Sequence, residues 1–188
     1  MRISCRLIGT LLLVLAVTAS GAQRRRDPLT QSEIDQIRDT SWEPKQRLPL
    51  YVQFARARLV TLEQVRSDPK TKDRAQQTHD LLDDFQRLYD ELNDNIDTYV
   101  DRKDDIRKPL KIVIDADTEF QAKLRALKDA EGVPAKEAQQ YEFVLTNAIE
   151  AVDSASDDHR KLLTDQEELA KHKQLNKNSS KGTGVAPE

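Results

Sequence analysis

The chain has 188 residues, 34% of them charged and only 5% aromatic, with a net charge of −3. Two of its 30 basic residues, Arg2 and Arg6, fall in the first 22, leaving 28 basic against 33 acidic residues and a net charge of −5 for the remainder. That balance disfavours a nucleic-acid binder, which normally carries a basic face, and high charge leaves a folded core only if the apolar residues are patterned.

The first 22 residues read as a secretory signal peptide. Arg2 and Arg6 precede the apolar run Leu7 to Val17, and Thr18-Ala19-Ser20-Gly21-Ala22 supplies small residues for a cut after Ala22. The run is shorter than the roughly 20 residues of a spanning helix. A retained anchor is the alternative, since Arg24, Arg25 and Arg26 follow the cut and oppose translocation. The single cysteine, Cys5, lies inside this segment. The processed chain would therefore lack disulfides and thiolate metal sites. The expected location is the periplasm or the extracellular space.

From Gln23 to Leu175 there is one glycine, Gly132, and the prolines divide the stretch into pieces that read as helices. Residues 23–46 hold a short helix, Thr30 to Ser41, opened by the capping box Thr30-Gln31-Ser32-Glu33. Trp42 is expected to cover the end of the core. Residues 47–175 form the bundle. Its first helix runs from Arg47 to Ser67 with Pro49 in the first turn, and Leu48, Tyr51, Val52, Ala55, Leu59, Leu62 and Val65 make its stripe. Phe54 and Val60 widen that stripe.

The next helix starts after Pro69 and ends near Asp101 to Asp105. Leu81, Phe85, Leu88, Leu92, Ile96 and Tyr99 form its apolar face, broadened by Leu82 and Tyr89. Ile106, Leu110, Val113, Asp117, Phe120, Leu124 and Leu127 continue the same spacing in the helix after it, with Pro109 in the first turn. Gly132 and Pro134 punctuate the passage to the last segment, where Tyr141, Leu145, Ala148, Val152, Ala155, His159 and Leu162 keep register. One helix from Ala135 to Lys173 would be about 58 Å long. It either overhangs the bundle or breaks near Ser154-Ala155-Ser156-Asp157. Residues 176–188 read as a disordered tail. The fold class is all-α: an antiparallel up-and-down bundle of four long helices with a short N-terminal helix.

Polar residues inside these registers are the candidates for chemistry. His79, His159 and Asp117 are the weak candidates for a metal or ligand site. The Glu-x-x-His pair of a bundle metal site is missing, because Gln76 and Ser156 stand three residues before His79 and His159. Architecture alone is similar to four-helix periplasmic cytochromes. Their ligands are not matched: no Cys-x-x-Cys-His occurs, and the one methionine is Met1. No cofactor is expected. His172 should be solvated in its lysine-rich surroundings. Asp117 should meet solvent or pair with a cation such as Arg56 or Arg58. Asp115-Ala116-Asp117-Thr118-Glu119 lacks the glycine of a calcium loop.

Asp90, Asp94, Asp97 and Asp101 form an acidic stripe after Asp80, Asp83 and Asp84. It reads as a solvated face, a docking face for a basic partner or a weak divalent-cation site, with Arg24 to Arg26, Arg47, Arg56 and Arg58 as a counterpart within the bundle or between molecules. No nucleophile elbow or phosphate loop is present. These features lead to an exported, non-catalytic bundle acting by surface interaction as a scaffold, adaptor or chaperone-like protein. It would not be an integral membrane protein after cleavage. Its protein partner is unidentified, and homo-oligomers stay open. The alternative is a small-ligand or metal carrier.

Overall fold

The computed structural model describes residues 26–40 and 42–182. The signal peptide with its cut after Ala22, and residues 183–188, lie outside the described residues. Among those described there is helix and no strand: α1 (Gln31–Asp39), α2 (Pro44–Ser67), α3 (Arg74–Asp101), α4 (Arg107–Lys128), α5 (Ala135–Ala138) and α6 (Glu142–Gly182).

The capping box forms as its sequence dictates. Thr30 N–H donates to Glu33 Oε2 at 2.7 Å, and Glu33 N–H donates to Thr30 Oγ1 at 3.3 Å. Arg58 of α2 then donates to both Glu33 oxygens, at 2.8 and 2.6 Å, and to the Pro28 carbonyl at 2.6 Å. One guanidinium thereby fastens α1 and the preceding strand of chain to the bundle.

Two corrections fall at the next joint. Trp42 does not cover the core; it is 54% exposed, with Arg47 stacked 4.1 Å from its ring centroid. The turn places Trp42 at φ 64°, in the left-handed region. α2 also begins at Pro44, so Pro44 takes the first-turn place expected of Pro49. Pro49 lies inside the helix, where it has no N–H to offer the Lys45 carbonyl. Val60, expected to widen the stripe, is exposed.

α3 ends in a Schellman motif. Asp104 N–H donates to the Tyr99 carbonyl and Lys103 N–H to that of Val100, both at 2.9 Å. Lys103 sits at φ 61° where glycine is usual. Of the two outcomes expected for Ala135 to Lys173, the overhang is the one found, in a helix that starts later, at Glu142. It has no break at Ser154 to Asp157, and the interruption comes earlier, at Gln139 to Tyr141. Glu137 of α5 is held there by Arg74, through bonds of 2.9 and 2.8 Å, with Arg66 at 3.6 Å. Arg66 also donates to the Tyr141 hydroxyl. Beyond that joint α6 stays helical past Leu175 to Gly182, replacing the start of the expected tail.

The four long helices form a ring in which α2 packs on α3 and α4, and α6 packs on the other side of both. Cross-links give the directions. Arg47 bonds Asn95 while Arg58 acts on Asp84, and Lys111 pairs with Glu167 while Gln121 bonds Asp153, so α2/α3 and α4/α6 are antiparallel. Arg56 meets Glu119 and Lys123 meets Glu63, so α2 and α4 run the same way. α3 and α6 do likewise, through Asn93 with His159 and then Asp104 with Gln166. Direction alternates along the chain as expected, but the α3–α4 link crosses the diagonal. These two helices therefore face each other through the core. Phe85 and Tyr89 of α3 meet Phe120 of α4 there, with centroids 5.3 and 6.2 Å apart and rings near perpendicular.

Candidate functional site

Beside this aromatic cluster, three helices place polar side chains in contact. Asp117 of α4 is fully buried and His159 of α6 is 4% exposed. Tyr89 O–H donates to Asp117 Oδ1 at 2.7 Å. His159 Nδ1 lies 2.8 Å from Asp117 Oδ2, and His159 Nε2 lies 3.1 Å from Asn93 Oδ1.

Each side chain arrives by helix geometry. Tyr89 and Asn93 are four residues apart on α3, hence on one face. Asp117 follows Val113 by four residues and precedes Phe120 by three, so the core register carries it inward. His159 follows Val152 by seven and is held in the same way. A bare carboxylate at this depth would be costly. Two donors offset that cost, one for each Asp117 oxygen.

The chemistry of the relay follows from its donors. Nδ1–H of His159 donates to Asp117. With Asn93 presenting its carbonyl, Nε2 is placed to donate to it. Turning the amide over lets a neutral ring accept instead. Burial, followed by the negative charge of Asp117 and the bond to it, raises the Tyr89 phenol far above its ordinary value. The phenol therefore stays a donor throughout the neutral range. An Asp–His pair becomes a general base when the far ring nitrogen meets a nucleophile. Here Asn93 occupies that position.

The expected cation partners of Asp117 are engaged elsewhere, which corrects that pairing. Arg56 Nε donates to Glu119 at 2.8 Å, and Arg58 serves Glu33. Glu119 lies two residues beyond Asp117, toward the α2–α4 seam, whereas Asp117 faces α3 and α6. Of the three weak candidates, Asp117 and His159 come together. His79 does not: it is half-buried on α3, 3.4 Å from Asp80. Asn93, which touches His159, is fourteen residues further along that helix, or about 21 Å. Among the described residues no group of three or more His, Cys, Asp or Glu is arranged for a metal ion. His172 is exposed, as expected.

Sequence reasoning missed the Tyr89 hydroxyl and Asn93 as members of this site. The available signal was their four-residue spacing along the face that packs into the core.

A groove of about 500 Å³ runs beside the site between α3 and α6. Ile96, Val100 and Leu162 are among its lining residues, with Asp97, Asp158 and His159. The acidic stripe continues from it: Asp90, Asp94, Asp97 and Asp101 are all exposed. No ion pair among the described residues reaches them. Of the expected counterparts, Arg24 and Arg25 lie outside the described residues, and Arg26, Arg47, Arg56 and Arg58 are engaged instead with Asp84, Asn95, Glu119 and Glu33. Asp84 is itself buried, and loss of hydration raises its carboxyl despite the charge of Arg26. No described helix is long and apolar enough to cross a membrane.

Comparison with family models, with curated proteins and with solved structures finds no match to this chain.

Proposed function

We propose that the protein is exported and acts without catalysis, as a helical-bundle scaffold, adaptor or chaperone-like component of the cell envelope that works through its surface. The regular form of this bundle is the four-helix up-and-down arrangement, here with a diagonal α3–α4 link. The observation that carries the reading is the internal closure of the Asp117–His159 pair. Both carboxylate oxygens and both ring nitrogens are engaged within the protein. The chemistry-bearing residues thus serve the rod, and recognition falls to its exterior.

Two measurements test this. Mass spectrometry of the mature protein should find Gln23 at the N-terminus; an intact Met1 would overturn export by cleavage after Ala22. Cross-linking in intact cells should recover one recurrent protein partner. That partner should be retained when Asp117 and His159 are both replaced by leucine. Repeated recovery of the protein alone would contradict the reading.

A carrier is the second reading, favoured by the groove that reaches His159 and Asp158. Metal analysis and an absorption spectrum of the purified protein decide it. A stoichiometric ion or chromophore lost in His159→Leu supports the carrier, and a clean spectrum without a bound ion opposes it.

A further inference from the structure

Gln166 and Glu167 tie α6 to the start of α4. Gln166 Oε1 accepts from Ile106 N–H at 3.2 Å, and Glu167 pairs with Lys111 at 2.9 Å. The helix continues to Gly182. Its projecting part, 168–182, is about 22 Å long. From Leu169 onward it has lysines and no acidic residue. Leu169 is 60% exposed, Lys171 and Lys173 are exposed, and the charge of Lys171 also acts on Glu167 one turn before it.

The same molecule presents a surface of opposite character. The α3–α6 groove has an apolar floor that includes Ile96, Val100, Ala155 and Leu162, rimmed by Asp97 and Asp158. Asp90 to Asp101 extend that rim for about 17 Å, close to the length of the projection. The Asp90 carboxyl is raised by loss of hydration and then by the charges of Asp94 and Glu91. A cation brought to this stripe would relieve that repulsion.

We propose that the projecting end of α6 docks in the acid-rimmed α3–α6 groove of a second copy, giving a two-fold dimer in which both ends are exchanged. Direction supports it. α3 and α6 are parallel, so the projection emerges at the Asp101 end of the stripe. A copy related by a two-fold axis sends its own projection back along that stripe. Antiparallel crossing of the two α6 helices near Asp165 then sets Lys171 and Lys173 of one copy against Asp94, Asp97 and Asp158 of the other, with Leu169 toward the floor. The contact is isologous and closes on itself. Two such insertions bury on the order of 1,000 Å², the lower edge of a specific interface. This dimer is independent of whatever other partner the surface recognises.

The test is the mass of the processed full-length protein by light scattering, across concentration and salt, with charge-reversed variants. A dimer that dissociates as salt rises is expected. Lys171→Glu with Lys173→Glu should weaken it by about tenfold or more, as should Asp94→Lys with Asp97→Lys. Combining all four substitutions should restore it to within about threefold of the original. All four positions are exposed, and unchanged circular dichroism will confirm that folding is intact. A monomer at every concentration in low salt would overturn the proposal. So would a dimer indifferent to both reversals, or a four-fold variant that stays monomeric.

Discussion

The two halves of α6 belong to one helix and obey different rules. From Val144 to His159 it buries Val144, Leu145, Ala148, Val152, Ser156 and His159 against α3 and α4. Beyond Glu167 the same helix exposes Leu169 and Leu175. Backbone geometry does not distinguish the halves; neighbours do. In the first half, helix formation is driven by packing of one face, the usual source of helical stability in proteins. In the second, residues of adequate helix propensity extend an existing helix, since propagation adds one bond per residue fixed. A helical residue can therefore be essential or nearly neutral according to what stands beside it.

The largest effect should come from the polar member of the first half. His159→Leu leaves the Asp117 carboxylate buried without its imidazole and should cost about 3–5 kcal/mol, read from urea unfolding. Leu145→Ala, also in the packed half, should cost about 2–5 kcal/mol by the same measurement. Tyr89→Phe keeps the ring but withdraws a donor from Asp117 Oδ1, at a cost of about 1–3 kcal/mol. The raised Tyr89 pKa adds a pH signature. Its stabilisation is complete below the ordinary phenol value of 10.0 and is lost as pH rises beyond it. The phenylalanine variant should show less alkaline destabilisation than the parent.

On α1, Glu33 supplies a smaller effect of opposite sign. Burial raises its pKa, but bonds from Arg58 and Thr30 outweigh that, and the net value is lowered from 4.5. Its contribution is present above about pH 4.5 and is lost on acidification through the lower folded value. Glu33→Gln should cost about 1–2 kcal/mol at neutral pH and flatten the acid limb of the stability profile. Leu169→Ala, in the projecting half of α6, should change unfolding of the dilute protein by less than about 0.5 kcal/mol. A cost like that of Leu145→Ala would erase the contrast between the halves.

Much of this was legible in the residues. The stripes of α3 and α4 are buried where their spacing puts them, and Thr30 with Glu33 caps α1. Asp117 and His159 stood out as polar members of apolar registers. Their pairing did not, because register assigns a face and not the helix opposite. A chain in which α3 and α4 were neighbours would have placed Asp117 elsewhere, and the arginines of α2 were the cation partners that spacing suggested. Trp42 misled because a large apolar ring suggests burial, while a left-handed turn and a stacking arginine hold it outside. The reach of α6 was hidden for a related reason. Its apolar pattern stops near Leu163, and helix beyond that point needs no pattern.

The central claim is that Asp117 and His159 exist for each other and for the bundle. The most direct test is the unfolding free energy of His159→Leu compared with the same chain also carrying Asp117→Leu. If the pair is structural, the second substitution removes the stranded charge and restores about 1 kcal/mol or more of what the first one lost. If the second substitution costs further stability, in simple addition to the first, the two residues are not a pair and the account is wrong.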